Sequence, residues 1–419
     1  MLDRKTPPPY SLNKTLNLLQ PEQVVLATGA NIFFIQGGDQ DVVKLELIFS
    51  AGRWFESIPG VSYLASHLLS KGTTAKTSNE IAQTLESLGI HLEIIPGFDF
   101  VSVNLFGLTK RIIEALAILY EICSSPAYSD NELTRAKNIL LQNLKINREK
   151  TSYLATTAFR EHLFGKNHPY GNEITHGDIQ KIQPETLHTF HKSYFKHFTC
   201  FVTGKISNAL KESITNTLSN IPFHSIEIRA VQSSKLDHNL FKVEKPGSIQ
   251  ISLRMGKRVI SRSHPDYPNL IFANHALGGY FGSRLMQSLR EDKGLTYGIY
   301  STIHSLRYET YIVISTDINK EHIDFAIEEV KAELRKLRTL PMKSEELQLV
   351  KNHFLGSLFT EVSTPFAHTE KLKNIYLNNL DIGYYQNLIE QIQGMTAAKV
   401  IETADTHLHE ENLLTVSAG

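Results

Sequence analysis

Two stretches of this chain recur at a spacing of about 210 residues, far beyond the roughly 20 to 50 residues of a solenoid repeat. Asp99-Phe100-Val101-Ser102-Val103-Asn104-Leu105 has its counterpart in Glu309-Thr310-Tyr311-Ile312-Val313-Ile314-Ser315, and a helical pattern follows each, beginning near Lys110 or Lys320. Further on, Asn131 to Asn138 matches Glu345 to Asn352, with Glu132, Leu133, Lys137 and Asn138 identical to Glu346, Leu347, Lys351 and Asn352. A period that long marks a duplicated domain. The 419 residues exceed what one ordinary core takes up. We therefore expect two large domains, 1–223 and 241–419, joined by the polar, aperiodic segment 224–240.

Within the first half, apolar alternation predicts strands from Val24, over Ile32 to Ile35 and over Val43 to Phe49. Helices are expected at 60–71 and 78–88, then strands at 90–95 and 98–107 that turn at Gly97. Long helical periods cover 110–124, 130–149 and 152–164, shorter ones reach Tyr194, and Phe198 to Val202 closes the half as a strand. Strands and helices fall in separate blocks, which defines an α+β class: an antiparallel or mixed sheet in each half with helices on one face. Residues 1–22 are Pro-rich and polar, an extended lead-in suited to lying along another surface.

Charge narrows the partners. Lys+Arg and Asp+Glu are both 43, so nothing in the balance favours a phosphate backbone, and nucleic acid is not an expected partner. Cys123 and Cys200 have neither metal-knuckle spacing nor the density of a secreted disulfide scaffold, and read as buried, reduced thiols. The N-terminus has no apolar h-region and no run of about 18 apolar residues occurs, so the expectation is a soluble, cytoplasmic protein without membrane association. A secreted chain whose signal had been trimmed would read the same way.

The richest local feature is 278–297. Gly278-Gly279 opens a loop, Gly282 and Ser283 read as a helix start, Leu285, Met286 and Leu289 form an apolar stripe, and Gly294 ends the helix before a strand beginning near Leu295. Arg290 at the helix end and Tyr297 at the strand start could then aim two polar tips at one spot. The plain structural alternative pairs Arg290 with Glu291 or Asp292 and packs Tyr297 on the sheet. Glu185, His188 and His191 share a helical face, but Leu187, Phe190 and Tyr194 already give that helix a core stripe. His407, His409, Glu410 and Glu411 read as a solvated charged turn, and Lys205 has no phosphate-loop spacing.

Residues 57–73 resemble the zinc-site helix of the inverzincin metallopeptidases (pitrilysin, insulysin and mitochondrial processing peptidase), whose active members carry H-x-x-E-H. Position by position, the first His is Tyr63, the Glu is Ser66 and the second His is His67, while the downstream ligand Glu falls at about Asn143. Catalytic zinc takes three protein ligands, so the resemblance implies a degenerate metal site and no metal in this chain. Ala51-Gly52-Arg53, His168-Pro169-Tyr170-Gly171, Phe190 to Phe195 and 278–297 resemble the same family in the same order.

That resemblance implies two similar α+β domains forming half of a clamshell. It is closest to the short-chain bacterial branch, in which one subunit brings zinc and a homologous subunit brings the Arg and Tyr. This chain would be the zinc-less subunit of a heterodimer, with a homodimer possible in isolation and Zn expected in the partner. Arg290 and Tyr297 would then stabilise the scissile carbonyl or hold the substrate backbone in trans. Gly278 and Gly279 would let a peptide substrate approach closely, added as a strand to a sheet edge. The rival expectations are a non-proteolytic assembly or scaffold protein of the same fold and an enzyme with an unconventional metal site around His67.

Overall fold

The computed structural model describes residues 15–227, 231–233 and 240–419. The start of the lead-in (1–14) and much of the expected linker (228–230 and 234–239) lie outside the described residues.

The first half begins with β1 (Glu22–Val25), β2 (Asn31–Gln36) and β3 (Val42–Phe49), followed by α1 (Val61–Leu68) and α2 (Ser78–Leu88). The hairpin β4 (His91–Pro96) and β5 (Val101–Leu108) leads into α3 (Thr109–Ser124), α4 (Asp130–Arg148) and α5 (Thr151–Phe164). Then come α6 (His176–Lys181), α7 (Pro184–Tyr194), β6 (Phe198–Gly204) and α8 (Asn208–Ser219). The second half runs β7 (Leu240–Val243), β8 (Gln250–Val259), α9 (Tyr267–Gly278), a π-helical turn (Met286–Asp292), β9 (Ile299–Ser305) and β10 (Thr310–Asn319). It closes with α10 (Ile323–Thr339), α11 (Ser344–Thr360), α12 (Pro365–Leu377), α13 (Tyr384–Gln393), α14 (Ala397–His407) and β11 (Leu414–Ala418).

Helix ends follow local chemistry. In α2, Thr77 Oγ1 accepts the Glu80 N–H at 3.3 Å while the Glu80 carboxylate accepts the Thr77 N–H at 2.8 Å. That capping box satisfies two orphan donors of the first turn, and Gly89, left-handed at φ 64°, ends the helix.

The duplication is structural. The sheets are ordered β1-β2-β6-β3-β5-β4 and β7-β11-β8-β10-β9, and apart from the extra edge strand β1 they correspond strand for strand. In each, one pair is parallel, β2 with β6 and β7 with β11, and the neighbours towards the other edge are antiparallel.

Helices were expected on one face of each sheet, but both faces are covered, because the halves exchange helices. Helix α5 of the first half packs on β8 and β11 of the second sheet, and α12 of the second half packs on β6 and β2 of the first. Polar pairs mark each seam. Thr151 Oγ1 lies 2.9 Å from Ser252 Oγ, and Arg254 Nε donates to Thr156 Oγ1 at 3.2 Å. Across the other seam Thr203 Oγ1 lies 2.6 Å from Thr369 Oγ1, and Lys373 Nζ donates to Glu46 Oε1 at 2.9 Å. Two covered faces explain why β3 is buried continuously from Leu45 to Phe49, the Glu46 carboxylate included, instead of burying only every second residue. A small cluster of Phe33, Ile35, Ile48, Phe201 and Leu372 fills the seam between α12 and the first sheet.

Within the described part of the lead-in, Leu16 and Leu18 pack against the second core, and the Leu19 N–H donates to His368 Nδ1 at 3.3 Å. A second link joins the halves at Asp99, whose carboxylate accepts the Tyr170 hydroxyl and, at 3.0 Å, the Arg307 N–H. Trp54 stacks on Tyr308 beside it, ring centroids 4.1 Å apart.

Candidate functional site

Helix α1 carries the degenerate metal positions. The chain enters it through Gly60, left-handed at φ 98°, and the buried Glu56 carboxylate accepts the Ser62 N–H at 3.0 Å. Burial pushes the Glu56 carboxyl up to about 7, against the opposing pull of Arg53 and the backbone donors of the helix start. Tyr63 and His67, one turn apart on the same face, hold their rings nearly parallel with centroids 6.0 Å apart. Ser66 points the other way, fully buried, its hydroxyl donating to the Ser62 carbonyl at 2.6 Å. Burial lowers the His67 imidazole, as does Lys71, while Glu132 works in the opposite direction. Asn143 is exposed on α4.

Zn²⁺ does not fit this set. Ser66 is committed to its own helix, Tyr63 offers a phenol, and His67 alone has a usual zinc-ligating group. Among the described residues no group of three or more His, Cys, Asp or Glu is arranged to hold a metal ion.

The corner at 278–297 is built differently from its sequence reading. The helix between Ser283 and Gly294 is π-helical over Met286–Asp292, and the strand starts at Ile299 rather than near Leu295. π-turns are rare and recur at functional sites. This one buries Met286, Ser288 and Leu289 and sets Arg290 on the rim. The Arg290 guanidinium carbon lies 4.4 Å from the centroid of the exposed Phe281 ring, and Nε lies 3.6 Å from Glu291 Oε1. Tyr297, in the loop before β9, is 94% exposed. The residue beside it anchors that loop: Thr296 Oγ1 donates towards the Asp317 carbonyl at 2.9 Å and accepts the Gly298 N–H at 3.1 Å. Among the described residues no hydrogen bond, ion pair or ring contact joins Arg290 or Tyr297 to Tyr63, Ser66, His67 or Asn143.

The two glycines have packing reasons of their own. A Cβ on the buried Gly278 would come within 2.7 Å of the Ser301 backbone nitrogen, so the end of α9 lies directly on β9. A Cβ on Gly279 would meet His275 Nδ1 at 2.7 Å.

Of the weaker candidates, His191 is buried with Nε2 2.9 Å from the Cys123 carbonyl oxygen, and His188 packs edge-on to Tyr128. The turn at 407–411 is not simply solvated as expected. His407 Nε2 lies 2.6 Å from Asp266, and Glu410 is buried with its carboxylate held by Arg335 and Arg338. Lys205 forms an exposed ion pair with Asp41 at 2.6 Å. Phe281 and Thr296 escaped sequence reasoning, the first for want of a polar tip and the second because only the fold brings its hydroxyl to β10.

Two corresponding halves, a helix at the family's zinc position that keeps only His67 of the ligands, and the exposed stretch carrying Arg290 and Tyr297 define the class: a metallopeptidase-like fold with a degenerate zinc motif. The insulinase model, peptidase family M16, matches residues 35–174, and the model described as the peptidase M16 inactive domain matches 181–354. The chain belongs to the M16 family. An uncharacterised zinc protease, YmxG of Bacillus subtilis, is 24% identical over 351 residues, covering 82% of this chain and 83% of that protein. A non-peptidase homolog, YmxG of Helicobacter pylori, is 25% identical over 365 residues, covering 84% and 83%. The crystal structure of a peptidase M16 inactive domain from Pseudomonas fluorescens superposes with a TM-score of 0.88 at 26% identity, covering 96% of this chain and 98% of that one.

Proposed function

We propose that this chain is the non-catalytic subunit of a heterodimeric zinc peptidase, binding peptide substrate and supplying Arg290 and Tyr297 to the zinc centre of a homologous partner. The observation that carries this reading is the contrast between the two candidate sites. The metal helix keeps only His67 of its ligands, while the 278–297 stretch holds a phenol 94% exposed on a loop anchored by Thr296 and a guanidinium at the rim of a π-turn. A phenol and a guanidinium suit the negative charge that peptide hydrolysis builds on the scissile carbonyl. The name of the Helicobacter pylori relative, a non-peptidase homolog, is in keeping with a member that does no chemistry alone. For the peptide, β4 beside α1 is a sheet edge with one free side, open to strand addition.

Gly278 and Gly279 open that stretch, and in this reading their lack of side chains lets the peptide backbone approach closely. The division 1–223, 224–240 and 241–419 is retained with it. The cytoplasm is the compartment we propose, since Cys123 and Cys200 are buried free thiols; among the described residues no helix is long and apolar enough to cross a membrane.

The test is reconstitution with a zinc-bearing homologous subunit and assay on a quenched peptide. Arg290→Ala and Tyr297→Phe should each lower kcat/KM by about 10²- to 10³-fold, the usual loss for one oxyanion-type donor, without loss of the complex. An unchanged rate in a genuine complex overturns the reading. A stable homodimer with no zinc-bearing partner and no peptide affinity would favour the scaffold alternative instead.

A further inference from the structure

The internal repeat that aligns the two sheets also aligns α1 with α9, each being the first α-helix after the long strand β3 or β8. Ala65-Ser66-His67-Leu68-Leu69 then falls on Ala273-Asn274-His275-Ala276-Leu277, so His275 is the second-half counterpart of His67. The repeat likewise pairs α4 with α11. The second half therefore has its own version of the helix pair that carries the lost metal positions, and there two histidines meet. His275 Nε2 on α9 and His353 Nδ1 on α11 are 3.0 Å apart.

Several features hold that pair in place. Tyr280 stacks on the His275 ring, centroids 4.9 Å apart, and lies tilted against the His353 ring at 4.4 Å. The missing side chain of Gly279 leaves the room that the His275 ring occupies. Both histidines line a cavity of about 410 Å³ between α9, α11 and α13, which Tyr267, Phe354, Tyr384 and Leu388 also line.

We propose that His275 and His353 form a binding site for a borderline divalent transition-metal ion (Zn²⁺, Ni²⁺ or Cu²⁺), with water from the adjoining cavity completing the coordination. Imidazole nitrogens about 2.0–2.1 Å from an ion in tetrahedral geometry stand roughly 3.3 Å apart. The present 3.0 Å separation therefore opens by a few tenths of an ångström, which the exposed His353 side chain can supply. With two protein ligands the site is weaker than a structural zinc centre, and imidazole donors favour Cu²⁺, Ni²⁺ and Zn²⁺ over Mg²⁺ or Ca²⁺.

The full chain, without any partner, is titrated with Ni²⁺ and Zn²⁺ by calorimetry and with Cu²⁺ by electron paramagnetic resonance. The expected result is one ion per chain, a two-nitrogen Cu²⁺ signature, and a loss of about tenfold or more in affinity in both His275→Ala and His353→Ala, with His67→Ala unchanged. His353 is exposed, so His353→Ala tests ligation with the thermal midpoint preserved as a check on folding. Saturable binding that persists in His353→Ala, binding abolished by His67→Ala, or no binding above that of the double His275/His353 variant would each overturn the assignment.

Discussion

Glu46, on a central strand of the first sheet, receives the Lys373 ammonium at 2.9 Å from a helix that belongs to the second half. The carboxylate is almost completely buried and also pairs with Lys44 at 2.9 Å, while Lys373 in turn reaches Glu370 at 2.7 Å. A buried charge so placed is tolerated only while its partners are present. Lys373→Met keeps the apolar stem and removes the charge. Because Lys44 remains, the expected cost is about 1–3 kcal/mol of unfolding free energy, read from urea denaturation. No change would mean that Lys44 alone satisfies Glu46.

Asp99 ties the halves at a second point, accepting the Tyr170 hydroxyl from one side and the Arg307 N–H from the other. Both bonds involve a buried carboxylate, so Asp99→Asn should destabilise by about 1–3 kcal/mol. In a double-mutant cycle with Tyr170→Phe the two changes should be markedly non-additive, since they share one bond. Strict additivity would contradict the geometry.

Gly278 has no room for a side chain against Ser301. Gly278→Ala should push α9 away from β9 and cost about 1–3 kcal/mol, as overpacking does. If the thermal midpoint is unmoved while peptide affinity falls, the glycine serves the ligand rather than the fold.

The histidines give the stability a defined pH dependence. Burial holds His191 at about 4, against the opposing bond to the Cys123 carbonyl, whereas an unfolded histidine titrates near 6.5. As pH falls, the unfolded chain takes up the proton first, so this stabilisation is complete above pH 6.5 and is lost on the way down to 4. Glu56 runs the other way. Its folded value of about 7 exceeds the ordinary 4.5, so its contribution is complete below 4.5 and fades as pH rises to 7. At full extent each is worth roughly 3 kcal/mol. In urea midpoints measured from pH 7 down to 5, His191→Gln should flatten the acid decline and Glu56→Gln should steepen it.

Thr296 holds the loop before β9 through its bonds to the Asp317 carbonyl and the Gly298 N–H, which makes it a positioning residue for Tyr297. In the reconstituted complex Thr296→Val should lower kcat by about tenfold or more, the scale of loss that follows a misplacement of about 1 Å. Thr296→Ser, which keeps the hydroxyl, should restore it. Failure of the serine variant to rescue would assign the effect to general packing.

Much of the architecture was legible because it rests on local or periodic signals. The strand alternation and the recurrence of Asn131 to Asn138 in Glu345 to Asn352 sit in the sequence itself. The loss of the zinc ligands could be read letter by letter, since ligand chemistry is discrete. The π-turn left no such mark: Leu285, Met286 and Leu289 suit a 3.6-residue helix as well as a wider one. The strand after it starts late because the Thr296 hydroxyl draws the chain towards β10 first. Glu410 looked like one acid in a charged turn, and nothing near it in sequence announces Arg335 and Arg338. The meeting of His275 with His353 depends on two helices whose proximity only the folded chain establishes.

The exchange of α5 and α12 bears on how such a chain could arise. A half-length ancestor with this layout has a helix that leaves its own sheet and a sheet face that its own helices do not cover. Only a second copy can supply that helix, so the smallest stable form of the ancestor is an intertwined dimer. Tandem fusion of such a gene would turn that dimer into one chain, and separating the halves again should yield fragments that fold by finding each other.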